Sequence, residues 1–231
     1  MIRFRNVSKS FPLTGGGRRT IVENLEMMIP RGRSLALLGR NGSGKSSLLQ
    51  LVAGTMKPDR GRVERTCSVS FPLGFAGSFH NALTGAQNIR FVARIYGVNE
   101  GALMAFVDDF AELGAYLNQR VGVYSSGMKA RLAFGVSMGL GFDVYLVDEV
   151  TAVGDANFRA KCLEMFERRL AASDVIMVSH AMATLRVFCD SGLVLENGRI
   201  EFFHDIEDAI ARHESNLAGH RASADQRKAE T

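Results

Sequence analysis

Apolar and charged positions alternate from the second residue onward. "IRFRNV" has the period of two that turns one face of a strand inward, and "TIVENLEMMI", after the glycine-rich loop "GGGRR" (15–19), predicts its return. The pattern then changes. "RSLALLG" is a short continuous apolar run ending in glycine, as parallel strands buried on both faces are. "KSSLLQLVAG" has helical spacing and stops on a glycine, and after the Pro-Asp turn in "KPDRG" the stretch "RVERTCSVSF" predicts another strand. From about 84 to 140 the spacing is helical throughout, in "AQNIRFVARIYG", "GALMAFVDDFAELGAYL" and "SGMKARLAFGVSMGL". Strand–helix alternation then resumes: "DVYLVDE", "ANFRAKCLEMFERRLAA", "DVIMVSH", "AMATLRVFCD". "SGLVLENGRIEFF" predicts a hairpin turning on Asn197-Gly198, and "DIEDAIARHESNL" a helix capped by Asp205. The polar stretch 218–231 predicts a disordered tail. The fold class is therefore α/β, with an N-terminal antiparallel β subdomain and an inserted α-helical subdomain, in one domain over residues 1–217.

Composition narrows this only a little. With 231 residues, 46% of them hydrophobic, the chain can bury one sizeable core. The net charge of +4 is spread along the chain, which argues against a nucleic-acid partner and allows a weak attraction to phosphate or anionic lipid. Cys67, Cys162 and Cys189 lie far apart and read as small apolar residues in a reducing compartment. The N-terminus lacks the pattern of a signal peptide, and no apolar run approaches the 18 residues of a membrane span, so a chain soluble by itself is expected.

The strongest chemical signal is "GRNGSGKS", 39–46, which fits G-x-x-x-x-G-K-[ST] between a predicted strand and a predicted helix. Gly39, Gly42 and Gly44 let the backbone wrap so that N–H groups point inward, and the helix beginning near Lys45 adds its positive end. The candidate ATP-binding set runs from Gly39 through Arg40, Asn41, Ser43 and Lys45 to Ser46 and Ser47. Lys45 would reach the β- and γ-phosphates, and the Ser46 hydroxyl would bind Mg²⁺. The bland alternative, a chance glycine-rich turn, does not account for the strand and helix on either side.

Two apolar strands end in groups that complete such a site. "VYLVDEV", 144–150, places Asp148 where a carboxylate can hold Mg²⁺ through water, and Glu149 next to it as the base for an attacking water. "MVSH", 177–180, places His180 at a strand end, as a partner for the γ-phosphate or the water. Taken alone, each would read as a solvated turn or a structural histidine, as His80, His204, His213 and His220 do.

"VYSSGMKARLAF", 123–134, contains no base beside Ser125 or Ser126 and no metal-ligand spacing, so it cannot carry catalysis alone. It reads either as an ordinary helix N-cap or as half of a site finished elsewhere. The order of phosphate loop, helical insert, Ser-Gly segment, carboxylate strand and terminal histidine resembles the nucleotide-binding ATPase of ABC transporters, over about residues 1–215. "YSSGMKAR" stands where that family has its LSGGQ signature. The resemblance implies a P-loop NTPase core, ATP and Mg²⁺ as ligands, and Ser125, Ser126, Gly127 and Met128 facing the nucleotide of a second copy of the chain. It also implies Asp155 of "TAVGD" as the family's aspartate after the catalytic glutamate, and Phe11 as the ring that stacks on adenine.

The chain departs from the family in three signature positions, Tyr124, Ser126 and Met128. It also lacks the family's Mg²⁺-ligating glutamine in "FPLGFAGSFHNALTG", 71–85. Gln87 comes too late, which leaves Ser78 or His80 as substitutes. "YSSGMKARLAF", "DEVTAVGD" and "LTGAQNIRFVARIYG" are similar to the ATPases that power export of capsular and related surface polysaccharides in Gram-negative bacteria. That similarity implies a homodimer at the cytoplasmic face of the inner membrane, bound to a separate permease. The chain ends soon after its last predicted helix, which implies no added carbohydrate-binding domain. The same ATPase serving O-antigen, teichoic acid or another exporter is the first alternative. A soluble ABC ATPase of ribosomes or DNA, or a small-molecule P-loop kinase, explains fewer motifs. The phenylalanine- and glycine-rich segment 71–91 is expected to be buried or to offer Phe75 and Phe79 to the permease.

Overall fold

A computed structural model describes residues 1–72, 79–148 and 156–229. The chain divides into two compact units, Met1–Ser68 with Asp174–Thr231, and Val69–Ser173. Glu149, Asp155, Phe75 and Ser78, all singled out from the sequence, lie outside the described residues.

In the first unit, β1 (Ile2–Pro12) pairs antiparallel with β2 (Arg18–Ile29) and with β4 (Arg60–Arg65), in the order β2-β1-β4. The second layer of strands is parallel: β3 (Leu35–Leu38) lies between β6 (Asp174–Val178) and β7 (Ser191–Glu196), and β8 (Arg199–Phe203) returns antiparallel to β7. The apolar runs are buried as their lack of alternation requires: all four residues of β3, and Val175–Val178 of β6. Each such Leu or Val contributes about 1.5–3 kcal/mol on burial. α1 (Lys45–Ala53) follows β3, α6 (Met182–Phe188) follows β6, and α7 (Ile206–Ala229) closes the unit. Asp205 caps α7, its carboxylate accepting from Glu207 N at 2.7 Å. α7 lies close on β7, where a side chain at Gly192 would collide with Ala209.

In the second unit the helices are α2 (Gly85–Tyr96), α3 (Glu100–Ala111) and α4 (Ser126–Leu140), with two short 3₁₀ turns between α3 and α4, and β5 (Val144–Asp148) and α5 (Ala156–Leu170) follow. Phe110 is the packing centre: its ring lies 5.7 Å from Phe134, 5.8 Å from Phe106 and 5.5 Å from Phe158. α3 and α4 approach at Gly139, where a β carbon would sit 2.6 Å from Leu103 Cδ1. β5 is fixed from the segment before it. Val69 bridges Val144, and the buried Ser70 hydroxyl accepts from Leu146 N at 2.9 Å while donating to Phe71 O.

Three details differ from the pattern reading. The strand expected over 62–71 stops at Arg65, shortly before the first unit gives way to the second after Ser68. The helix expected through residue 117 breaks at Glu112, which takes a left-handed φ of 52°. The tail expected to be disordered from 218 continues α7 as helix to Ala229; its Ala, Arg, Gln and Lys content favours helix once a docked first turn nucleates it.

Candidate nucleotide site

The phosphate loop connects the end of β3 to α1, on the edge of the parallel strands where their C-termini point, the position at which open α/β sheets bind ligands. Its glycines are required by space. A β carbon on Gly39 would lie 2.6 Å from the carbonyl oxygen of Leu195 at the end of β7. Gly44 has φ +111°, and a β carbon there would lie 2.6 Å from Ile21 Cγ2 on β2. The loop is thus clamped between two strands with its backbone exposed on the remaining side. Gly44 is the N-cap of α1 and supplies no side-chain cap, so the positive end of the helix is uncapped by its own N-cap residue. Lys45 Nζ donates to the carbonyls of Gly39 (2.7 Å) and Arg40 (3.1 Å), which holds the ammonium over the mouth of the loop. The Ser43 hydroxyl oxygen is buried without a hydrogen-bond partner among the described residues. A glycine cradle, an uncapped helix N-terminus, a poised cation and an unsatisfied hydroxyl fit the polyphosphate of ATP. Ser46, exposed at the first turn of α1, fits the hydroxyl ligand of Mg²⁺. Arg40, Asn41 and Gly42 form the exposed rim of the loop, and Ser47 is half-buried in α1.

His180 follows β6 on the same edge of the strands and is exposed. Both it and Lys45 act on His213 of α7. Burial first, and the Lys45 charge second, hold the His213 imidazole below its ordinary range. The carboxylates of Glu196 and Glu214 oppose them, and His180 adds a smaller effect in the same direction as Lys45. Phe11, near the end of β1, is 36% exposed, enough for a ring to receive a planar ligand, and Lys9 Nζ stands 5.4 Å from its centroid.

The second unit carries the remaining groups. Asp148 is half-buried at the end of β5. Ser125 is the N-cap of α4, its hydroxyl accepting from Met128 N at 3.2 Å. Ser126 is exposed, and Gly127 and Met128 are half-buried. Tyr124, which replaces the signature leucine, is buried and donates its hydroxyl to Tyr116 O at 2.5 Å, tying the start of the segment to the preceding turn. Burial raises its pKa.

A cleft of about 370 Å³ opens beside the capped segment, lined by Glu112, Tyr116, Ser125, Gly127, Met128 and Arg131 among others. Arg131 stands 4.2 Å over the Phe158 ring and 3.5 Å from Glu112. The pattern reading did not single out Arg131, although its place four residues after Gly127, one helical turn on, was a usable signal.

The structure also places other residues that the sequence singled out. Gln87 is fully engaged as a capping box with Thr84, its side chain accepting from Thr84 N at 2.9 Å. His80 accepts from Ala82 N within its own turn. Phe79 is only 7% exposed, so it packs inside the fold and is no docking surface. Cys162 and Cys189 are buried, which pushes both thiols up to about 12 and leaves them inert at neutral pH.

The ABC transporter family model matches residues 22–152. The chain is 45% identical to the ATP-binding protein BexA of Haemophilus influenzae, over 90% of this chain and 96% of that protein. It is also 45% identical to the capsule polysaccharide export ATP-binding protein CtrD of Neisseria meningitidis serogroup B, over 93% and 99%. An O-antigen export system ATP-binding protein, RfbB of Klebsiella pneumoniae, is 35% identical over 91% of this chain and 87% of its own length. Among solved structures, the dimeric post-hydrolysis state of the ATP-binding cassette MJ0796 bound to ADP and Pi superposes with a TM-score of 0.70. It is 19% identical and covers 87% of this chain and 98% of that one, a likeness of fold. The agreement extends well past the phosphate loop, through the helical stretch and β5, and the chain belongs to the ABC transporter family as one of its ATP-binding proteins.

Proposed function

We propose that this protein is the ATP-hydrolysing subunit of an exporter of capsular or related surface polysaccharide. In this reading it works as a pair of identical copies against a separate membrane permease, at the cytoplasmic face of the inner membrane. The observation that carries the ATPase part is the clamped loop 39–46, with Lys45 held over an uncapped helix N-terminus. The cargo rests on the names of relatives at 45% identity, against 35% for those of O-antigen systems. No helix among the described residues is long and apolar enough to cross a membrane, which suits a subunit that relies on a membrane partner.

The roles follow from the chemistry of each group. Lys45 and the amides at the start of α1 bind the β- and γ-phosphates. Phe11 stacks on the adenine. Ser46 and Asp148 would hold Mg²⁺, which supplies neutralisation of the phosphate charge. Glu149 takes the proton of the attacking water, and His180 hydrogen-bonds the γ-phosphate. Ser125, Ser126, Gly127 and Met128 of the second copy close the site from the other side, and Asp155 serves as the aspartate after the catalytic glutamate. The test is made in the native host. Lys45→Ala on the chromosome should leave polysaccharide inside the cell and none at the surface. Normal surface polysaccharide in that strain refutes the export assignment.

A further inference from the structure

The sequence reading passed over Arg19, between the glycine loop and β2's buried stretch. We propose that Arg19 is a ligand of the nucleotide phosphates, a second cation that β2 brings to the phosphate loop in addition to Lys45. This rests on the loop being an ATP site, as proposed above.

Three observations support it. First, proximity: a β carbon on Gly42 would lie 3.0 Å from Nη2 of Arg19, 3.9 Å from Cζ and 4.0 Å from Nη1, so the guanidinium approaches the rim of the loop through Nη2. Second, its lack of partners: among the described residues it makes no hydrogen bond or ion pair, whereas its neighbour Arg18 donates to Ser10 and pairs with Asp59. A guanidinium at the rim of a loop that leads into the positive end of α1 is repelled by that end, and an anion in the loop is what would relieve this. Third, the strand that carries it is fixed. Ile21, two residues on and on the same face, is packed against Gly44, and Glu23 N donates to the carbonyl of Gly198 at 3.2 Å.

The register adds a direction. Phe11 and Arg19 are directly opposed in the antiparallel pair of β1 and β2, so their side chains share a face. A nucleotide with its base on Phe11 and its phosphates in the loop would pass Arg19, whose planar fork matches phosphate oxygens.

The test compares wild type, Arg19→Gln, Arg19→Lys and Lys45→Ala by calorimetric titration with ATP, ADP and adenosine, alongside melting of the nucleotide-free chains. Arg19→Gln should weaken ATP and ADP binding by about tenfold, the size of one charge-assisted hydrogen bond. Arg19→Lys should recover part of the loss. Adenosine affinity and the nucleotide-free melting temperature should not move, since the side chain has no hydrogen-bond or ion-pair partner among the described residues. Wild-type ATP affinity in Arg19→Gln, with binding lost in Lys45→Ala, overturns the proposal and leaves the ATP site standing. An equal loss for adenosine places the contact at the base and also overturns it. Failure of the wild type to bind ATP refutes the site itself.

Discussion

Three residues show how local chemistry gives testable behaviour. Lys45 is half-buried, and its ammonium donates to two loop carbonyls. Lys45→Ala should therefore lower ATP affinity by a hundredfold or so, at about 1.4 kcal/mol per tenfold, with little change in the melting temperature of the nucleotide-free chain. Phe79 is the opposite case. A carboxylate at a position 7% exposed has no partner there, so Phe79→Asp should destabilise the fold by several kcal/mol, read as loss of soluble yield or an early melting transition. His213 gives a pH dependence. Its folded pKa is depressed, so the unfolded chain takes up a proton more readily. Stability is full above the ordinary histidine value of about 6.5 and falls as pH drops below it towards the folded value. Burial is the main cause of that loss, the Lys45 charge adds to it and His180 contributes less, while Glu196 and Glu214 oppose it. Urea midpoints at pH 7.5 and 5.5 should differ more for wild type than for His213→Gln, and equal differences would exclude His213 as the source. The loop and its lysine were legible in the sequence because a fixed spacing of glycines carries the mechanism. Arg19 and His213 were not, since a lone arginine or histidine acquires meaning only from what other strands and helices bring beside it.

At the scale of elements, caps and close approaches decide stability. Ser125 caps α4 through Met128 N, and Ser125→Ala should cost about 1 kcal/mol, measured by urea denaturation. The same hydroxyl is proposed to face the nucleotide of a second copy. Loss of ATP hydrolysis out of proportion to the lost stability would separate the two roles. Gly192 is where β7 and α7 meet most closely, and Gly192→Val should cost about 1–3 kcal/mol through overpacking against Ala209. Periodicity located nearly every helix and strand. It failed at ends set by geometry: β4 stops shortly before the chain changes unit, and α3 stops at a left-handed Glu112 that no composition rule marks.

At the scale of the whole molecule, the proposed cycle requires two copies. Glu149→Gln keeps the shape of the carboxylate but is a poor proton acceptor, so this variant should retain ATP and accumulate as a dimer. Size-exclusion chromatography with ATP and Mg²⁺ at matched concentration should show a larger dimer fraction than wild type. A variant that stays monomeric and turns over at the wild-type rate removes Glu149 from the role.

The sequence by itself determined the α/β class, the phosphate loop, the carboxylate strand and the capped Ser-Gly helix. Each is a short-range pattern in which spacing alone encodes backbone shape and chemistry. The Gln87 cap is also local, set by Thr84 three residues before it, but only the tertiary structure decided that Phe79 is core and that Tyr124 anchors the signature segment by its hydroxyl. It alone set Arg19 against Gly42, because cross-strand register and the bulge that buries both Ile21 and Val22 fix which side of β2 meets the loop. The place of Arg19 depends on contacts between residues far apart in the chain, and no local pattern carries them.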